Sequence, residues 1–309
     1  MKTLFLVFLT CSISLAQSYP GSFARLGLNA KGMALGNSIA AMTEGNVYTY
    51  YNPALASFQN GGSVSASVSL LDLDRELNAL TYTQSLKPTA GLSLGILNAT
   101  VSDIDGRDAD GVHTSDLSTS ENLFFFSFSN KFSEGFSLGL SLKLYYYKLY
   151  GGITSTSIGF DLGAAYKVTG DLSMGVVVAD LGEDYHWDSS SLYGTDGSNF
   201  TTAFPHVVKL AASYALPITP SVLSVEYDVA PAPLNGLRVG LEVSPFEVLA
   251  IRAGVSSSNE QHVGTQLTWS FGFGAKVSFL DLAPEINYAY VVEPFVPNGI
   301  QSFSLIFGF

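Results

Sequence analysis

The second half of the chain sets single charges inside runs that are otherwise apolar or small. They are Lys209, then Glu226 and Asp228, then Arg238 and Glu242, then Arg252, then Lys276. Signs alternate roughly from one run to the next, and opposite charges facing each other on neighbouring strands attract. On a lipid-facing strand position a charge costs up to about 2–4 kcal/mol, so these residues are expected to point inwards. Their chemistry is then ion pairing. The first reading is a brace for an enclosed interior, or for a segment held inside it, because buried charges need partners. The second is a polar lining for a solute path.

A different cluster lies in DIDGRDADG, where Asp103, Asp105, Asp108 and Asp110 alternate with glycine and other residues. Carboxylates around glycine turns can hold Ca²⁺, but this spacing lacks the fifth-position ligand and the closing glutamate of an EF-hand. A solvated acidic loop is expected, with a weak cation site as the alternative. The histidines, His113, His186, His206 and His262, are scattered, and only His186 has local company in Asp184 and Trp187. No Gly-x-Ser-x-Gly, His-Glu-x-x-His or phosphate-cradling loop appears, so neither catalysis nor a cofactor is expected.

These residues must be positioned by strands. FSLGLSLKLYYYKL sends Phe136, Leu138, Leu140, Leu142, Leu144 and Tyr146 one way, and Ser137, Gly139, Ser141, Lys143, Tyr145 and Tyr147 the other. Period-two alternation of this kind marks a strand with one apolar face. TSIGFDLGAAYK and QLTWSFGFGAKV repeat it, with Ile158, Phe160, Leu162 and Tyr166, and Leu267, Trp269, Phe271 and Phe273, facing outwards. About fourteen such strands are expected, centred near residues 66, 81, 95, 126, 142, 161, 176, 211, 225, 240, 252, 271, 288 and 305. Short turns alternate with longer links. The longest are expected at 102–120 and 182–204, and the short turns, including one near Leu280, are expected to face the periplasm.

Composition agrees. The chain has 30 Gly, 16 Tyr and 21 Phe, and only 13% of its residues are charged. The norm for charged residues is about 25%. A net charge of −12 argues against nucleic acid as a partner. With no apolar run long enough for a spanning helix, the remaining membrane class is an all-β, transmembrane antiparallel β-barrel. A soluble β-sandwich would share the alternation but not the loop asymmetry.

Both ends fit that class. MKTLFLVFLTCSISLAQ reads as an export signal over residues 1–16, with cleavage before Gln17. Lipidation at Cys11 is the alternative; Cys11 is the only cysteine, so a cleaved chain has none and forms no disulfide. Residues 17–60 are expected to form a plug inside a barrel of residues 61–309, or else a periplasmic tail. A helical patch is expected near Met33–Met42, and Asn52-Pro53-Ala54 suits a capped turn. In QSFSLIFGF, Phe303, Leu305, Phe307 and Phe309 are expected to face lipid on a closing strand. A terminal aromatic of this kind resembles the signal read by the barrel-assembly machinery.

AKGMALGNSIAAMTEGNVYTYYNPALAS resembles the N-terminal signature of the PorV/PorQ family, which is similar to FadL-type outer-membrane barrels. The matching positions are Gly32, Met33, Gly36, Ala40, Asn52, Pro53, Ala54 and Leu55. Thr43-Glu44-Gly45-Asn46 is a weaker version of the family pattern. The resemblance implies a fourteen-stranded barrel with an N-terminal plug, set among lipid and lipopolysaccharide in the outer membrane of a Bacteroidota-like bacterium. It brings two roles: passage of small, partly hydrophobic molecules, or a non-catalytic part in type IX secretion and surface attachment.

Overall fold

A computed structural model describes residues 19–44, 48–217, 220–231, 234–260, 264–277, 283–293 and 297–309. The expected export signal with Cys11, His262 and the turn near Leu280 lie outside these residues. The first eight strands are β1 (Gly62–Leu71), β2 (Arg75–Leu86), β3 (Ala90–Arg107), β4 (His113–Lys131), β5 (Phe136–Lys148), β6 (Thr154–Lys167), β7 (Leu172–Leu181) and β8 (Asp184–Asp188). The rest are β9 (Asn199–Ala203), β10 (Val207–Leu216), β11 (Ser221–Val229), β12 (Gly236–Phe246), β13 (Leu249–Glu260), β14 (Gly264–Lys276), β15 (Glu285–Val292) and β16 (Ile300–Gly308).

Fourteen of these strands close into one antiparallel barrel, and all fourteen expected centres fall within them. β8 and β9 form a separate two-stranded hairpin between β7 and β10. The barrel closes where β16 pairs with β1, in a register that sets Val64 opposite Phe307 and Val68 opposite Phe303. Gly62 N donates to Phe309 O at 2.7 Å and Phe309 N to Gly62 O at 2.9 Å, so the last backbone groups are used. Closure leaves no unpaired edge, which is the condition for strands in an apolar solvent.

Alternation sorts the side chains as the sequence implies. Leu138, Leu142, Ile158, Leu162, Trp269, Phe271 and Phe273 are exposed on the outside, while Ser137, Ser141, Lys143 and Tyr145 are buried within. Phe303 and Phe309 are exposed, and Leu305 and Phe307 partly so. Of the tyrosine triplet only Tyr146 faces out; Tyr145 and Tyr147 point into the barrel.

Two expected loops are structured. Residues 102–107 and 113–120 continue β3 and β4 as a ribbon beyond the end of β2, and only 108–112 turn. This ribbon is polar on both faces, so no apolar alternation announces it. Residues 182–204 contain the β8–β9 hairpin and a helical turn, α3 (Ser190–Tyr193). The expected helix at 33–42 is also shorter and earlier. α1 (Ser22–Arg25) and α2 (Ala30–Ala34) are single turns, and Gly36 and Asn37, both at positive φ, stop α2.

Candidate functional site

Residues 19–60 precede the first strand, and their described part packs inside the barrel against the inward faces of the strands. This inner segment is irregular, so its backbone groups need partners. Asn29 caps α2 by accepting from Gly32 N at 3.0 Å. Asn52 caps the 3₁₀ turn Pro53–Phe58 by accepting from Ala54 N at 3.0 Å. The wall supplies the remainder through inward serines. Ser67, Ser173 and Ser270 donate to the carbonyls of Leu28, Ala41 and Ala34, and Ser57 N donates to Ser129 Oγ. The polar phase of each strand is thus a row of hydrogen-bond partners for a chain that has no ladder of its own.

Asn52 ties the segment both to itself and to the wall. Its Nδ2 donates to Ala40 O at 2.8 Å within the segment and to Ala164 O at 3.1 Å on β6. Asn52 and Ala54 are fully buried, and Pro53 lies between them. The element sits on two glycines that face each other across β5 and β6, Gly139 and Gly163. A Cβ at Gly139 would collide with the backbone of Pro53 and Ala54, and one at Gly163 with the Asn52 side chain. Gly91, Gly175 and Gly254 likewise let Ala56, Ala40 and Gly36 approach the wall. Inward glycines form the bed on which the segment lies.

The expected belt of charges separates into two groups. In the first, Lys209 lies 3.0 Å from Glu226 and 3.7 Å from Asp228, while Arg238 lies 3.5 Å from Glu226 and 2.7 Å from Asp228. In the second, Arg252 meets Glu242 at 2.5 Å and Glu285 at 2.9 Å, and donates to Asn287 Oδ1 at 2.6 Å. Lys31 of the inner segment reaches the same two glutamates at 3.8 and 3.9 Å. Lys276 borders the second group, opposite Glu285 in register, and makes no ion pair within 4.0 Å among the described residues.

A third group lies beside the first. Lys143 bridges Asp161 at 2.7 Å and Asp180 at 3.0 Å, and Arg25 of the inner segment reaches Asp180 at 3.6 Å. Lys143 and Asp161 carry the same sequence signal as Lys209, a charge on the inward phase of an alternating run. Glu285 carries it too, on the inward phase of EINYAYVV; Arg25 and Lys31 carry no such signal, because only the folded position of the inner segment brings them to these partners.

The inner segment stands between cavities towards the two rims. Among the described residues, cavities of about 180, 190 and 220 Å³ lie towards the rim with the longer links, lined in part by Arg25, Leu26, Phe23 and Asn37. Towards the other rim lie two of about 210 and 100 Å³, both touching Lys31. No lining residue belongs to a cavity of each set. The β8–β9 hairpin folds against the inward face of β6, where Asp184 N and His186 N donate to Ser157 and Ser155. Its aromatic side joins a stack in which Tyr145 lies 4.8 Å from Phe204 and Tyr147 lies 5.2 Å from Trp187, centroid to centroid.

In the acidic loop the carboxylates that make contacts turn to local partners. Asp105 pairs with Arg107 and, at 2.8 Å, with His113, and Asp108 accepts from Asp110 N and Val112 N to shape the turn. Among the described residues Asp103 and Asp110 join no convergent carboxylate group. The hydrogen bond from His113, then that from Arg107, holds the Asp105 carboxyl below the usual carboxylate range. The ribbon tip is therefore steadied fully above that range and loosened as pH falls through the lowered value. Protection of the amides of residues 108–112, relative to their intrinsic exchange at each pH, should fall on that descent, and Asp105→Asn should remove the pH step; a tip indifferent to both would refute the coupling. The other two described histidines are also occupied: His186 lies 3.2 Å from Asp184, and His206 Nδ1 donates to Asp180 O at 2.8 Å.

No model of a known protein family matches the chain, and no curated protein matches it. Solved structures do. The Pseudomonas putida toluene transporter TodX superposes with a TM-score of 0.61 at 15% identity, covering 91% of this chain and 96% of TodX. The fold is FadL-like. A Pseudomonas aeruginosa FadL homologue matches with a TM-score of 0.57 at 12% identity, over 91% of this chain and 96% of its own. A TodX monoaromatic hydrocarbon channel mutant reaches 0.62 at 13% identity. At such identities the likeness speaks for the barrel and its strand order.

Proposed function

We propose that this protein is a non-catalytic outer-membrane channel that passes small, partly hydrophobic molecules. The observation that carries the reading is the inner segment buried across a closed barrel, with separate cavities towards each rim. A solute path needs such chambers and a movable element between them. The TodX transporter and the FadL homologue, which share the fold, support the same direction and an outer-membrane location. The lining is mixed. Phe23, Leu26, Leu71, Leu77 and Val101 border the cavity of about 220 Å³, whereas Arg25, Lys209, Arg238, Asp180 and Asp228 border that of about 180 Å³. A molecule with both an apolar body and a polar end suits this pairing better than a pure hydrocarbon.

The test is uptake by cells with and without the gene, over a panel running from toluene to small aromatic alcohols and acids. Loss of uptake of at least one class, restored by the intact gene, is the expected result. Unchanged uptake across the panel overturns the reading. The PorV/PorQ resemblance of the Asn52-Pro53-Ala54 region supports a second role, a subunit of a type IX secretion or surface-attachment complex. Co-purification with secretion components or an exported cargo, in cells whose uptake is unaffected, would favour that role.

A further inference from the structure

Beneath the root of the β8–β9 hairpin, three acidic side chains converge from different elements. Asp161 comes from β6, Asp180 from a bulge in β7, and Glu183 from the link into β8. One carboxylate oxygen of each lies within 4.8 Å of the others, and all three residues are buried. The bulge is specific to this point. The β6–β7 register shifts between Phe160 and Leu162, and Asp180 takes φ of 60°, so that its N–H donates to Asp161 Oδ1 at 2.9 Å. Bulges re-aim side chains, and here one sets two acids side by side. Gly159 makes the third possible, since a Cβ there would collide with the Glu183 side chain.

Charge does not balance within the group. Lys143 bridges Asp161 and Asp180, and Arg25 reaches only Asp180. Glu183 is 3% exposed, and neither of its carboxylate oxygens has a hydrogen-bond partner. No cation of the described residues lies within 4.0 Å of it. A carboxylate in that position calls for one more positive charge. A proton shared with the neighbouring Asp180 carboxylate is one way to supply it. The approach of three carboxylates from three elements is also the arrangement that a hard, oxygen-preferring cation coordinates.

We propose that Asp161, Asp180 and Glu183 hold a divalent cation of the Ca²⁺ class, which fixes the hairpin root in the barrel mouth. The link to the hairpin is direct. Phe204 N, after β9, donates to Glu183 O at 3.0 Å, so both arms of the hairpin meet at the residue that would ligate the ion. Asp161 and Asp180 also line the cavity of about 180 Å³, and binding of the ion there requires no solute.

The experiment titrates Ca²⁺ into the full chain, folded in detergent and stripped with a chelator, with folding checked by heat-modifiable gel mobility. One saturable site per chain is expected, together with a rise in unfolding temperature on adding Ca²⁺. Glu183→Gln keeps the shape and removes the charge, and both effects should vanish in it. Mn²⁺ bound to the wild type, displaced by Ca²⁺ and followed by electron paramagnetic resonance, gives the answer should the variant fail to fold. Absence of saturable binding to folded wild type overturns the proposal. So does undiminished binding by Glu183→Gln. A wild type indifferent to Ca²⁺ and matched in stability by Glu183→Gln would mean that Glu183 carries a proton instead, and also overturns it.

Discussion

Valine at both Gly139 and Gly163 will drive the Asn52-Pro53-Ala54 element off the barrel wall and open the lumen. The two glycines face each other in register, and the atoms their new Cβ groups would strike are the backbone of Pro53 and Ala54 and the capped Asn52 side chain. None of these is the free end of a flexible chain, so the element cannot yield by a rotamer change. The displaced Asn52 would also lose its donations to Ala40 and Ala164. Strand pairing should survive, because valine favours an extended backbone and both positions point inwards. In planar bilayers the purified double variant should conduct at a porin-like level, while the wild type stays near background. A folded double variant with wild-type conductance would sink the idea that the segment closes the lumen.

The second large effect is on stability. Arg252 is 2% exposed and holds Glu242, Glu285 and Asn287 together. Methionine keeps most of its volume and removes its charge, leaving the two glutamates with Lys31 at 3.8 and 3.9 Å and Lys276 at the border of the group. Breaking a buried pair by removing one partner destabilises by about 3–5 kcal/mol. Urea unfolding in lipid vesicles should record a loss of that size for Arg252→Met. Neutralising all three groups together, as Arg252→Met with Glu242→Gln and Glu285→Gln, should recover much of it, since the penalty comes from unpaired charge. If Arg252→Met unfolds at the wild-type midpoint, the network is decorative.

Much of this was legible before folding. Outward Leu, Phe and Trp against inward Ser, Gly and single charges fix strand existence, phase and number, because a period of two leaves one side chain in each pair no choice of face. The pairs Lys209–Glu226 and Arg252–Glu242 join neighbouring strands, as the sign alternation implies. The β3–β4 ribbon was hidden for the converse reason: it has no uniformly apolar face, and periodicity is visible only as a contrast between faces. In the β8–β9 hairpin the contrast, Tyr185 and Trp187 against Asp184, His186 and Asp188, runs over only five residues.

The amino-acid sequence by itself determined a closed antiparallel barrel and which residues it turns inwards. That information is local, carried by each strand alone. Only the tertiary structure decided which inward groups meet: that the expected belt divides in two, that Arg25 and Lys31 reach into charged groups, and that Asp161, Asp180 and Glu183 converge. Those meetings depend on the path of an irregular segment through the lumen and on one bulge in β7. Neither repeats along the chain, so neither leaves a period to read.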